Sequence, residues 1–102
     1  MGKKEFDCGI IVSTMIPAVR IRVAEILDSK YGYTQKDIAD KLGVVQVAVS
    51  KYLNKKYSKA VEKMKENLSA KIEKDKLVEN IIKSSNSDEV NYKIERFCEN
   101  AV

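Results

Sequence analysis

The chain has 102 residues, 44% of them hydrophobic and 33% charged, with one proline and a formal net charge of +4. That length suits one domain with a modest core and excludes two that each bury their own. The apolar content excludes a wholly disordered chain, and the charged fraction with so little proline points to an amphipathic, all-α protein.

Met1-Gly2-Lys3-Lys4-Glu5-Phe6 has no apolar stretch behind its charges, so no secretory leader is expected, and Phe6 stands where an acylation signal needs Ser or Thr. The longest apolar stretch, Gly9 to Val19, is interrupted by Ser13, Thr14 and Pro17. It falls short of the ~20 residues of a membrane helix. The expectation is a cytoplasmic protein without a membrane partner. Residues 1–15 are assigned to an N-terminal arm, although the segment from Ile10 to Val12 could equally begin the first helix early.

Pro17 fits the first turn of a helix, where its missing N–H costs nothing, and Val19, Val23, Ile26 and Leu27 then recur at helical spacing. This first helix ends near Lys30, with Gly32 as a left-handed cap. Thr34, followed three residues later by Asp37, opens a second helix that runs to about Leu42. Gly43 supplies a tight, positive-φ turn, and a third helix runs from about Gln46 to Asn54. Ser58 caps a fourth, on which Val61, Met64, Leu68 and Ile72 keep one face. Leu77, Val78, Ile81 and Ile82 follow after a phase slip, so one bent helix or two shorter ones would fit. The polar segment 84–88 is a loop capping a last helix that aligns Val90, Ile94, Phe97 and Ala101. The chain thus divides into an arm (1–15), a three-helix unit (16–57) and a C-terminal helical extension (58–102).

The charge is uneven along these elements. Residues 1–57 carry ten Lys/Arg against six Asp/Glu, whereas residues 58–102 carry nine of each. From Lys51 to Lys65 there are six lysines against one acid, Glu62, and a phosphate-facing surface would sit there.

A helix-turn-helix needs one helix lying across the phosphate backbone, a tight turn, and a second helix whose outer face enters the major groove. In YTQKDIADKLGVVQVAVSKYL the inward positions fall on Ile38, Ala39, Leu42, Val44, Val49 and Tyr52, with Ala39 small where the helices cross. On the third helix Gln46, Val47, Ser50, Lys51 and Asn54 form one outward stripe. Gln and Asn can pair bidentately with adenine, Ser can donate or accept, and Val47 can touch a thymine methyl. Gln46 is the leading candidate for base readout. A merely solvated helix face is the competing explanation of the stripe, and the Gly43 turn, the Thr34 cap and the nearby lysines weigh against it.

Residues 33–54 resemble the helix-turn-helix of the Cro and phage-repressor type, in which a Gln begins the second helix and another lies near the start of the third; Gln35 and Gln46 match. The wider stretch from about 5 to 57, with MIPAVRIRVAEIL leading into that unit, is similar to a group of small archaeal predicted transcriptional regulators. The resemblance implies a lambda-repressor-like fold and a repressor-like role. It implies that Gln35 contacts a phosphate and orients Gln46, while Gln46, Val47, Ser50 and Lys51 meet bases or backbone. Lys36, Lys55, Lys56 and Tyr57 complete the expected phosphate-binding set. Val45 stands where such proteins commonly carry Thr or Ser, and it cannot provide a side-chain N-cap.

Arg20 has two open readings, a phosphate contact or an ion pair with Asp28 or a neighbouring acid. Cys8 and Cys98, without any histidine, cannot complete a structural zinc site in one chain. They read as free thiols, with an intersubunit metal or redox site as the alternative. No cofactor is expected. With no His, no nucleotide-binding glycine loop and no nucleophile motif, an enzyme is not expected either. The partner expected is double-stranded DNA, bound by a homodimer that pairs through the apolar residues after Ser58; the competing arrangement has those helices fold back and complete the core of a monomer. The alternative is a protein-interaction module, such as an antitoxin-like partner, using the same helices.

Overall fold

The computed structural model describes residues 8–101, and all the regular structure in it is helical. The expectations placed on residues 1–7, and on the side chain of Cys8, lie outside that range. Six α-helices follow one another: α1 (Ile16–Ser29), α2 (Gln35–Leu42), α3 (Gln46–Leu53), α4 (Lys59–Lys74), α5 (Leu77–Ile82) and α6 (Ser87–Ala101). The all-α, helix-turn-helix expectation holds.

The chain upstream of α1 departs from the arm assigned to residues 1–15. A helical turn at Cys8–Ile10 and a π-helical turn at Ile11–Met15 run without a break into α1. Pro17 stands in the first turn of α1, as expected, but helical turns precede it. Pro17 has no N–H to give to the carbonyl four residues back. The wide turn absorbs this just upstream, where the Ile16 N–H reaches the Ile11 carbonyl. Met15 is buried in the core, which anchors this extension.

Local signals fix the next boundaries. Gly32, at φ +71°, turns the chain out of α1 while the Tyr33 N–H returns to the Leu27 carbonyl at 3.0 Å. Thr34 Oγ1 accepts from the Asp37 N–H at 3.1 Å and opens α2. Gly43 closes it, again at φ +71°. Ser58 Oγ accepts from the Val61 N–H at 3.2 Å and opens α4. The phase slip after Ile72 is a true break, because Lys76 takes a left-handed conformation at φ 54° between α4 and α5. Asn86 Oδ1 accepts from the Glu89 N–H at 2.9 Å at the start of α6.

The core runs across the division drawn at residue 58. Val23, Leu27, Ile38, Leu42 and Val49 of the first three helices share one buried cluster with Leu68, Ile72, Val78, Ile81, Val90, Ile94 and Cys98. The apolar faces of α4, α5 and α6 thus complete the core of a single chain. They are not surface left over for a second copy: Val61, Leu68, Ile72, Val78, Ile81, Val90, Ile94 and Phe97 are buried, and Met64 and Ile82 pack against the core. Three short helices cannot enclose an interior alone, and the C-terminal helices supply the missing walls. Lys41 adds a polar tie between the halves, its Nζ donating to the Ile82 carbonyl at 2.9 Å and the Ser84 carbonyl at 3.2 Å.

Candidate nucleic-acid interface

The α2–turn–α3 unit rests on this core. Ile38, Ala39, Leu42 and Val49 are buried, and Val44 and Tyr52 are half-buried against them, as expected for the inward positions. The Gly43 and Val44 N–H groups both bond the Ala39 carbonyl, at 2.9 and 3.0 Å, which tightens the turn. Val45 is the extended N-cap of α3 and provides no side-chain hydrogen bond, so α3 begins with uncapped N–H groups.

Beyond the turn, α3 presents its outer face to solvent. Gln46, Val47 and Lys51 are exposed, and Val45 and Val47 are unusually so for apolar side chains, at 70% and 64%. Two exposed valines flanking a glutamine form a surface with apolar and bidentate hydrogen-bonding capacity together. Ser50 and Asn54 are tied to one another: Asn54 Nδ2 donates to the Ser50 carbonyl at 2.8 Å and to its Oγ at 3.3 Å. That bond commits the Asn54 donors to the helix end and turns its amide from groove reader towards helix terminator.

The flanking cations divide into outward and inward groups. Lys51, Lys55, Lys56, Lys59 and Lys63 are exposed. Lys55 itself is left-handed, at φ 59°, where the chain leaves α3. Gln35 is half-buried at the start of α2, and Lys36 pairs with Asp40 at 3.1 Å on the exposed face. Lys65, the sixth lysine of the basic stretch, faces inward. Its Nζ lies 2.8 Å from Glu25 Oε2 and 3.4 Å from Glu62 Oε1, and it donates to the Tyr57 hydroxyl at 3.1 Å. Burial works against its charge, but the bonds to Glu25 and Tyr57 and the field of Glu25 outweigh that and raise its pKa above the ordinary lysine value. Tyr57, expected to bind phosphate, accepts from Lys65 as part of this network. Its hydroxyl pKa is raised, first by burial, against the opposing bond from Lys65.

Arg20 meets a residue that neither of its readings named. Its Nη2 donates to Asn91 Oδ1 on α6 at 3.0 Å. Nothing in the local sequence announces this pair, because the two residues stand 71 positions apart. Cys98 is a buried free thiol whose pKa burial pushes up to about 12, so it is held as the neutral thiol. No helix among the described residues is long and apolar enough to cross a membrane.

The family model HTH_3, described as helix-turn-helix, matches residues 23–66, somewhat under half of the chain. The matched span starts within α1, contains all of α2 and α3, and ends within α4. Comparison with curated proteins and with solved structures gives no match. Residues 23–66 are thus similar to the helix-turn-helix family over the span that holds the turn and the two helices flanking it.

Proposed function

We propose that the protein is a transcriptional regulator that binds double-stranded DNA sequence-specifically, with α3 in the major groove. The observation that carries the reading is the outer face of α3, where Val45, Gln46 and Val47 stand exposed directly after the Gly43 turn. Gln46 and Val47 are the base-facing pair, with Ser50 and Lys51 one turn further on. Asn54 contributes at most its Oδ1 acceptor, since its donors are occupied. Gln35, Lys36, Lys55 and Lys56 face phosphate, which fixes the register of the helix without reading sequence.

This mode of binding suits a repressor-like role, because a protein seated in the groove excludes others from the same stretch. Where the target is two-fold, two copies stand about 34 Å apart on one DNA face. Their contact must then come from a surface other than the apolar faces of α4 to α6, which are used inside the monomer.

Selection of bound duplexes from a random pool, followed by affinity at several salt concentrations, tests the reading. The expected result is an enriched motif of a few base pairs per copy and an affinity that falls with log salt at a slope of about −0.9 per phosphate contacted. A folded protein that enriches no motif and binds without salt dependence would overturn it and leave the protein-interaction module in its place.

A further inference from the structure

We infer that Asn91 is a positioning residue for the DNA-reading helix, acting from a helix outside the matched helix-turn-helix domain. The inference rests on the DNA-binding reading above. Asn91 Nδ2 donates to the Leu42 carbonyl at 3.2 Å and to the Ser87 carbonyl of its own helix at 2.9 Å. Its Oδ1 accepts from Arg20 Nη2 at 3.0 Å. One amide therefore joins three helices: it sits on α6, takes its proton donor from α1, and gives its own to the last residue of α2.

Leu42 is the place where such a hold matters. Its carbonyl is one of the four at the end of α2 that no later turn of helix can satisfy. The turn N–H groups of Gly43 and Val44 both go to Ala39, and Asn91 answers Leu42 instead. The contact is steric as well as polar. A Cβ placed on Gly43 would lie 2.8 Å from Ser87 Cβ and 3.4 Å from Asn91 Nδ2, so the first turn of α6 is a wall against the turn.

Packing alone does not call for a polar side chain at position 91, since Val90, Ile94, Phe97 and Cys98 fill the core side of α6. A carboxamide can donate to two carbonyls and accept from a guanidinium at the same time, as Asn91 does. Arg20 has few alternatives: its Nε is buried without a hydrogen-bond partner among the described residues, and its charge also reaches Tyr52 on α3. Hydrogen bonds to base edges weaken steeply outside a narrow range of distance and angle. A small shift of the α2–α3 turn would therefore lift Gln46 from its base while leaving flexible lysines on their phosphates.

The test uses full-length protein as wild type, Asn91→Asp and Asn91→Ala. Each is measured against the duplex selected by the wild type and against a scrambled duplex of equal length. Melting temperature and the backbone amide shifts of residues 43–47 in the free protein are recorded alongside. Asn91→Asp keeps an acceptor for Arg20 but cannot donate to Leu42. It should melt close to the wild type, show its remote amide shifts at residues 43–47, and lose about tenfold in preference for the selected duplex, comparable to one base contact. Affinity for the scrambled duplex should change far less. Asn91→Ala should lose preference at least as strongly at temperatures where it is fully folded. A folded Asn91→Asp with unchanged amide shifts and wild-type preference would overturn the inference and leave the DNA reading intact. A wild type that prefers no sequence would remove both.

Discussion

Gly43 and Ser87 compete for the same space: a Cβ on Gly43 would stand 2.8 Å from the Ser87 Cβ. Gly32 shares the same φ of +71° but has nothing within 4 Å of its missing Cβ. The two glycines thus separate backbone strain from steric exclusion. Gly32→Ala should cost only the left-handed penalty, about 1 kcal/mol. Gly43→Ala should cost at least twice that in urea unfolding, and shortening Ser87→Gly in the same chain should recover the difference. Equal costs for the two alanines would show that α6 yields easily at the turn.

Gln46 and the Lys55–Lys56 pair should fail in different ways. Gln46→Ala is expected to relax preference at one base position by about 1 to 3 kcal/mol while keeping the salt slope. Lys55→Ala with Lys56→Ala should weaken binding to every sequence and reduce the slope by up to about 2. Binding isotherms on selected and scrambled duplexes at three salt concentrations distinguish them. The assignment is wrong if the lysine pair changes base preference at constant slope.

Glu25 carries more stability than its position on α1 suggests. It accepts from buried Lys65 at 2.8 Å and from Arg22 Nη1 at 3.2 Å. Glu25→Ala leaves the Lys65 ammonium with Glu62 alone as an ionic partner and should cost about 3 kcal/mol. Lys65→Met, which removes the buried charge and keeps most of the volume, should cost less. Chemical denaturation of both variants checks the order, and a reversed order would mean that packing rather than charge dominates there.

Alkaline pH should destabilise the fold, beginning with Cys98. Its thiol pKa is raised by burial to about 12 from an ordinary value near 9, so the native state keeps a proton that the unfolded chain has lost. Between those values the unfolded state binds fewer protons, and stability must fall as pH rises, by at most about 1.4 kcal/mol per pH unit. The raised pKa of Lys65 acts with the same sign, but only above the ordinary lysine range. Urea midpoints from pH 8 to 10 in a Cys8→Ser background should decline, and Cys98→Ala should flatten that decline. A flat profile with Cys98 present would contradict a buried neutral thiol.

A chain ending at Tyr57 should not fold. It retains the stripe on α3 but loses Leu68, Ile72, Val78, Ile81, Val90 and Ile94 from the shared core. Far-ultraviolet circular dichroism and thermal melting give the answer. A cooperative melt from the truncated chain would restore the separate domain that the sequence suggested.

The features that could be read from sequence are those whose cause lies within a few residues. Thr34 with Asp37, Gly43, Ser58 and the phase slip after Ile72 each act on their own backbone, and the helix ends follow from them. The outward stripe of α3 was legible for the same reason, because helical spacing alone separates Gln46 and Val47 from Val49. What could not be read depends on remote partners. Arg20 answers to Asn91, Lys65 turns inward to Glu25 and meets Tyr57 there, and the apolar faces after Ser58 are spent on α1 to α3 rather than on a second copy. Pro17 marks the first turn of α1 correctly, but nothing in its chemistry announces the π-helical turn that joins α1 to the helical turn before it.

The wall against the turn is the last helix of the described chain, which gives it a meaning during synthesis. Every residue proposed to touch DNA leaves the ribosome well before Ser87 and Asn91 do, yet the turn they brace and the core they close must wait for them. Domains fold as units when their parts have emerged. A prematurely terminated product that still carries Gln46 and its lysines is therefore an unfolded chain for proteolysis rather than a crippled competitor for the same DNA. On this reading competence to bind arises only once α6 has emerged and closed the core.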